Sequence, residues 1–369
     1  MQTAPVVAFV ADVPDFKGGA ERSLFDLMAN PGIFPLLVVP GDGPMAEAAR
    51  GKGIPVYYLN FGKVLTVRRP FKAMDVLRTF FDALSAAWQL RGLARDNGAL
   101  CIHTNGLKAH GVGCLSRLLG GVPVVVHFRA IPFTRLEMMF WQAVRLIASR
   151  IILVSRPCWP GARLPGHVRV IFNGIVLKAH KVPKPKAPPP LVLGFVGRIQ
   201  FTKGVDTLIE WFDYARKQGL DLRLKIRGEA APDELDYDRK VRRMAKDRGL
   251  EKLCVFEGRV EGFDRIYGGI HVNVVSSVIP DPLPRSVMEA CSLGIPVLGY
   301  PAGGIPYMIE DGVSGFLVDG PERFCEVLRA LGDAKVYARV SRAAVARAKA
   351  CFGMERLHAQ VMEVYESLR

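Results

Sequence analysis

Two series of short apolar strands alternating with helical patterns flank a basic, proline-rich segment, and this arrangement limits the fold more than any other feature. Ahead of that segment, strands are predicted at 5–11 (PVVAFVA), 34–40 (FPLLVVP), 54–60 (IPVYYLN), 99–105 (ALCIHTN), 122–128 (VPVVVHF), 150–155 (RIILVS) and 167–174 (HVRVIFNG). Behind it the series resumes with LVLGFVGRI, LRLKIRG, LCVFEGRV, IHVNVVSS, IPVLGY and GFLVDG. Strands alternating with helices need crossover connections, so each series predicts a parallel sheet. The expected architecture is α/β, two Rossmann-like doubly wound domains facing a central cleft. The expected boundaries are 1–177, a linker at 178–190, 191–350, and a C-terminal helix at 351–369 packing back towards the first domain. The linker, KAHKVPKPKAPPP, reads as a semi-stiff spacer.

A chain of 369 residues, half of them hydrophobic, has material for two cores. No apolar run approaches the ~18 residues of a membrane span, and the N-terminus runs straight into a strand without a basic leader. Seven cysteines are scattered without a CxxC pair, which predicts reduced thiols in the cytoplasm. The net charge is +15, with 20 Lys+Arg against 10 Asp+Glu in residues 1–175. That excess favours anionic partners.

The stretch SSVIPDPLPRSVMEACSLGIPVLGYPAGG, residues 276–304, joins a strand to a short helix and then to another strand. Pro284 suits a helix start, where the first amide has no intrahelical partner. Asp281 in the loop and Glu289 about a turn into the helix can face one pocket, with Gly303 and Gly304 beyond the next strand. Crevices outside strand ends, where helix N-termini point, are where open α/β sheets hold nucleotides. A surface helix with a solvated acid is the plainer alternative. In VGRIQFTKGVDTLIEWF, Gly197-Arg198 ends a strand and Lys203-Gly204 opens a helix. Two cations five residues apart suit a diphosphate clamp, or are simply a basic loop. Gly18 and Gly19 precede another helix without dinucleotide-fingerprint spacing and fit a plain turn equally well.

Taken in order, GGAERS, VHFRAIP, ILVS, VIFNGI, VGRIQFTKGVDTLIEWF, FEGRV, PDPLPRSVMEACSLGIPVLG and AGGIPYMIEDGVSGFLV resemble the retaining glycosyltransferases of the GT-B fold, in the large family 4 of bacterial glycan assembly. The resemblance covers most of the chain and is strongest from Leu191 to Val318. It implies sugar transfer from a nucleotide-diphosphate sugar to a hydroxyl acceptor on a glycan or lipid-linked glycan, with the anomeric configuration retained and no cofactor beyond that substrate, UDP or GDP being favoured. Arg198 and Lys203 would hold the diphosphate. Glu289 would bind the ribose, Asp281 would face the donor sugar, and Arg285 and Ser286 would lie beside them. Gly18 and Gly19 match a loop closing over donor and acceptor, and His127 matches a histidine aimed at the donor sugar.

The chain departs from the family pattern at three places. Asp281 replaces the usual Glu and its carboxylate reaches one methylene less. Leu283-Pro284 stands where Phe-Gly is common, removing an N–H, and Arg285 is positioned to compensate. Tyr307 occupies a frequently acidic position. These bear on the identity of the sugar more than on the fold.

No metal site is expected. Asp236-Tyr237-Asp238 is a DxD string, but it opens a charged helix and reads as a solvated face. Between Lys63 and Arg95, seven basic residues meet two acidic ones, interleaved with aromatics. Phe71, Met74, Leu77, Phe81, Leu84 and Trp88 share one helical face. This face is predicted to pack on the sheet over most of its length, with an anionic membrane surface as the other partner for residues 63–95. Localisation would then be cytoplasmic and peripheral on the inner membrane face. No nucleic-acid module is present, and no specific nucleic acid is expected. Two rivals to transfer remain: a nucleotide-sugar epimerase of the same fold, and a non-catalytic nucleotide-sugar-binding partner subunit.

Overall fold

The computed structural model describes residues 4–16, 18–66, 73–177 and 190–369, so all but the last residue of the predicted linker lies outside the described residues. Two compact units result, one of residues 1–174 with 354–369 and the other of residues 175–353.

The first unit runs β1 (Val6–Ala11), α1 (Gly19–Met28), β2 (Phe34–Val39), α2 (Pro44–Arg50), β3 (Val56–Tyr58), α3 (Ala73–Asp96), β4 (Ala99–Asn105), α4 (Leu107–Leu118), β5 (Val124–Phe128), α5 (Arg135–Ile147), β6 (Arg150–Leu153) and β7 (Val168–Val170). Its seven strands are parallel in the order β3-β2-β1-β4-β5-β6-β7. The order reverses beside β1, the kind of switch point at which ligands collect in such sheets. Val7, Phe9, Cys101, Val125 and Ile152 form one buried layer with Leu24, Leu27 and Met28 of α1. Leu357, Val361, Val364 and Tyr365, at the spacing of one helix face, put the C-terminal segment into that same core.

The second unit runs β8 (Leu191–Val196), α6 (Val205–Lys217), β9 (Leu222–Arg227), α7 (Leu235–Asp247), β10 (Cys254–Gly258), α8 (Phe263–Tyr267), β11 (Val272–Val275), α9 (Arg285–Ser292), β12 (Val297–Gly299), α10 (Ile305–Met308), β13 (Phe316–Leu317), α11 (Pro321–Leu331) and α12 (Ala334–Cys351). The last helix, α13 (Met354–Glu366), belongs to the first unit. The second sheet is also parallel, ordered β10-β9-β8-β11-β12-β13. Leu193, Phe195, Leu224 and Ile226 of its centre pack on Leu208, Ile209 and Phe212 of α6. Both domains are therefore parallel-sheet Rossmann-like folds.

One expectation fails in α3. Phe71 of the predicted face lies outside the described residues; Met74, Leu77, Phe81 and Trp88 do not pack on the sheet but are 52–62% exposed, as is Phe80, while Leu84 is half-buried. Ala86, Ala87, Leu90 and Ala94 are buried instead. Small residues let α3 lie close against α4, so the bulky apolar residues fall on the outside. Helices α4 and α5 were not anticipated, and α5 adds a second exposed apolar set, with Leu146 80% exposed.

Candidate active site

In the second unit the predicted residues gather where β8, β11 and β12 end. The loop after β8 turns through Gln200–Lys203 and enters α6 at Gly204. Gly204 has φ +63°, and a Cβ there would collide with the Ser276 carbonyl oxygen beyond β11. Ser276 Oγ also donates to the Lys203 carbonyl at 3.0 Å. Two strand ends are thus locked together, and Lys203 is carried across to Asp281.

Lys203 Nζ and Asp281 Oδ2 form an ion pair, each side chain mostly but not wholly buried. Asp281 Oδ1 accepts from the Leu283 amide at 3.1 Å, and the Asp281 carbonyl accepts from the Gly304 amide at 2.8 Å. Gly303 has φ +60°, and any side chain there would strike the Asp281 backbone. The glycine pair after β12 therefore lets two loops touch, and so fixes the acid. Arg198 is exposed at the end of β8, beside Gly197.

Pro284 caps α9, which starts at Arg285. Glu289 lies just over one turn in, and Tyr267 Oη donates to its Oε2 at 2.8 Å, while Arg285 Nε lies 3.5 Å from Oε1. Burial, then the Glu289 carboxylate, push the Tyr267 phenol well above its ordinary range, so it stays a donor. Arg285 therefore faces Glu289. Ser286, next along α9, is half-buried, its carbonyl accepting from Asn273 Nδ2 at 3.4 Å. Asp281 in the loop and Glu289 on α9 belong to the same unit, and each already has a cationic neighbour, Lys203 and Arg285 respectively.

In the first unit, Gly18 caps α1 and its amide donates to Glu21 Oε2 at 2.8 Å; Gly19 is the first helical residue. His127 is the penultimate residue of β5, within the predicted strand, and is fully buried. Burial and the charge of Arg129 hold its imidazole well below the usual range. It belongs to a polar cluster with His103, Asn105, Arg129, Asn173 and Tyr365, none of which was singled out from the sequence. The one available signal was a histidine inside the otherwise apolar strand ALCIHTN.

Asp236 and Asp238 of the DxD string pair with Arg239 and Arg242 on the surface of α7. Among the described residues, no three His, Cys, Asp or Glu side chains are grouped to hold a metal ion. Burial pushes the thiols of Cys114, Cys254 and Cys291 up to about 12, which makes them poor nucleophiles.

Comparison with known proteins adds to this geometry. Residues 178–345 match the model of the glycosyl transferases group 1, and residues 20–158 match the glycosyl transferase 4-like domain. A D-inositol 3-phosphate glycosyltransferase of Corynebacterium kroppenstedtii is 30% identical over 154 residues, 38% of this chain and 33% of that protein. The spore coat protein SA of Bacillus subtilis is 26% identical over 182 residues, 47% of this chain and 48% of that protein. The chain thus spans between about a third and a half of the length of these curated relatives. A structure of Anabaena HepE in complex with UDP superposes with a TM-score of 0.81 at 21% identity, covering 98% of this chain and 99% of that one. One family model thus falls on each unit, the glycosyl transferase 4-like domain on the first and the glycosyl transferases group 1 on the second, and the two parallel-sheet domains share the fold of solved GT-B glycosyltransferases.

Proposed function

We propose that this chain is a retaining glycosyltransferase that moves a sugar from a nucleotide-diphosphate sugar, with UDP as the nucleotide, to a hydroxyl acceptor. The observation carrying the reading is the Lys203–Asp281 pair, with Lys203 on the same loop after β8 as the exposed Arg198, in the unit that matches the group 1 model. A diphosphate arriving there competes with Asp281 for the Lys203 ammonium and finds Arg198 on the same loop. Asp281 is then released towards the donor sugar. Negative charge growing on the departing diphosphate is stabilised more in the transition state than in the substrate, which is what accelerates transfer. Glu289, aligned by Tyr267 and Arg285, accepts hydrogen bonds from the ribose hydroxyls. The family resemblance implies that the acceptor oxygen bonds to the anomeric carbon on the face from which the phosphate oxygen departs, and that the departing phosphate oxygen takes the acceptor proton. UDP is favoured because the like-folded HepE binds UDP and UDP-glucose.

The two cations supply charge that a divalent ion would otherwise bring, so transfer should persist in excess chelator. Activity lost to chelator and restored by magnesium would overturn that. Product formed only when acceptor is present separates transfer from epimerisation, and any turnover across a panel of nucleotide sugars excludes a non-catalytic subunit.

The acceptor is a lipid-linked glycan met at an anionic membrane surface, where the chain works as a peripheral cytoplasmic protein. Support comes from the outer side of α3, with Met74, Leu77, Phe80, Phe81 and Trp88, and from Leu136, Met139 and Leu146 on α5. α4 lies between these two helices, packed against both. Exposed Arg78, Arg95, Arg117 and Arg135 lie on the same three helices. Each apolar side chain gains about 1.5–3 kcal/mol on full burial, and each cation about 1 kcal/mol near an anionic leaflet. Among the described residues no helix is long and apolar enough to cross a membrane. The full chain should sediment with vesicles containing anionic lipid, and the double variant Phe80→Ser/Phe81→Ser should not. Equal partitioning of both proteins at low and high salt would sink the membrane reading and leave the transfer reading untouched.

A further inference from the structure

The second unit contains a buried cation that the transfer reading leaves unused. Arg227, the last residue of β9, is 7% exposed. Its Nε donates to Glu257 Oε2 at 2.5 Å, and its Nη1 lies 3.0, 2.8 and 3.0 Å from the carbonyl oxygens of Arg265, Ile266 and Gly268. Along the β9–β10 ladder Phe256 pairs with Ile226 and Gly258 with Arg227, so Glu257 is an extra residue in β10. A bulge of this kind re-aims a side chain, and here it brings a carboxylate to the guanidinium.

The three carbonyls belong to the end of α8, where a helix leaves C=O groups without amide partners and favours a cation. They flank Tyr267 on both sides. The Tyr267 carbonyl itself accepts from the Ile270 amide at 3.2 Å. Ile270 in turn packs on Gly194 of β8, where a Cβ would strike its side chain. The backbone is thus tied down before and after Tyr267, and the fully buried phenol is delivered to Glu289 Oε2 at 2.8 Å.

The stability of the sheet does not call for a charge at this place. Taking a guanidinium out of water is costly, and apolar residues of similar volume often replace a buried ion pair without loss. What an apolar residue lacks is donors for three convergent carbonyls. The particular contribution of the arginine is therefore the shape of the turn that carries Tyr267.

We infer that Arg227 is a positioning residue for the nucleotide: it clamps the end of α8 around Tyr267 and so aims the phenol at Glu289, the acid proposed to bind the ribose. The effect on nucleotide binding rests on that reading of Glu289; the clamp does not. Every residue involved lies in the second unit.

The clamp is read without ligand, on the full chain labelled with carbon-13 at the tyrosine Cζ, the Tyr267 signal being the one lost in Tyr267→Phe. Glu289→Gln replaces the charged acceptor of the phenol and should shift that signal. Arg227→Met should shift it as well, and Arg227→Lys, which keeps the charge and N–H donors, should return it most of the way. Arg227→Gln, shorter and uncharged but polar, repeats the measurement if Arg227→Met does not fold. A Tyr267 signal at its wild-type position in these two neutral variants would overturn the clamp. Calorimetry with UDP reads the effect on binding. Tyr267→Phe and Arg227→Met should each raise Kd about fivefold, the loss of one hydrogen bond. The double variant should also stand at about fivefold, since both changes remove one interaction; a rise of about 25-fold, the product of independent effects, would overturn the route through Tyr267. Weaker UDP binding by Glu289→Gln beside unaltered binding by Arg227→Met would overturn the positioning role and leave the reading of Glu289 intact. Unaltered binding by Glu289→Gln would overturn that reading, and the nucleotide effect with it, while the carbon-13 shifts would still decide the clamp.

Discussion

Both units place polar side chains at the carboxyl ends of a parallel sheet, and they treat them in opposite ways. In the first unit His103, His127 and Tyr365 are fully buried beside the half-buried Arg129, and burial holds both imidazoles well below their ordinary range. In the second, Lys203, Asp281, Arg285 and Glu289 are charged, paired with one another and partly open to solvent. A buried neutral network holds one geometry, because each unmade hydrogen bond carries a desolvation penalty. An ion pair that is still partly open to solvent can exchange one anionic partner for another. One unit thus holds a fixed polar geometry, and the other, in the proposed reading, can trade a carboxylate for a diphosphate.

The contrast breaks most sharply at Lys203. Lys203→Ala should lower kcat by about 10³-fold, the range seen when one donor to developing negative charge is removed. The unfolding midpoint should move little, since Asp281 keeps the Leu283 amide and solvent. Near-wild-type turnover would remove Lys203 from the chemistry.

The buried cluster gives the next largest effect, in stability rather than rate. His103, His127 and the neighbouring His110 of α4, buried with its Nδ1 2.8 Å from Thr104 Oγ1, all lie below the ordinary imidazole value of about 6.5 because burial, and then the Arg129 charge, penalise the imidazolium; His110 falls to about 3. With folded values depressed, the unfolded chain binds more protons at acid pH. Stability is fully present above pH 6.5 and is lost as pH falls towards the folded values. Each ring costs up to about 1.4 kcal/mol per pH unit in that window. Urea midpoints between pH 7.5 and 5.5 should fall steeply, and His110→Gln should flatten the slope by one proton. A flat profile for the wild type would mean that these rings are not held neutral.

These two regions also differ in how far the sequence reveals them. The strand alternation, the loop glycines and the cap at Pro284 are local signals, and the second unit's cluster is assembled from them: Arg198, Lys203, Asp281 and Glu289 lie in strand-to-helix loops or at a helix start. The buried network joins residues from β4, β5 and the C-terminal helix, with Tyr365 262 positions from His103. No period or motif connects them. Tyr267 escaped for a similar reason, since its partner Glu289 is 22 residues away. The α3 face misled because helical periodicity finds an apolar stripe and does not say what covers it; the alanines opposite, which permit close packing on α4, were the better guide to the buried side.

Glu289 sharpens the comparison from the binding side. Glu289→Gln keeps the shape and removes the charge to which, in the proposed reading, the ribose hydroxyls donate. Hydrogen bonds to charged groups are worth about 1.5–3 kcal/mol, so KM for the nucleotide sugar should rise on the order of 10–100-fold with kcat much less affected. A fall in kcat at unchanged KM would place Glu289 at the reacting centre instead of at the nucleotide.

Tyr267 should give the smallest effect, and it tests whether the second unit orients its groups at all. Its ring is fully buried and its hydroxyl is fixed on Glu289 Oε2. Tyr267→Phe leaves the ring packed and Glu289 still facing Arg285, so the loss is one hydrogen bond of about 1 kcal/mol and a rise of a few-fold in KM for the donor. If the variant instead matches Glu289→Gln, the phenol is essential to holding the acid, and the second unit depends on buried orientation as much as the first. If KM does not move, Arg285 alone aligns the carboxylate, and the separation between an orienting half and an exchanging half becomes sharper.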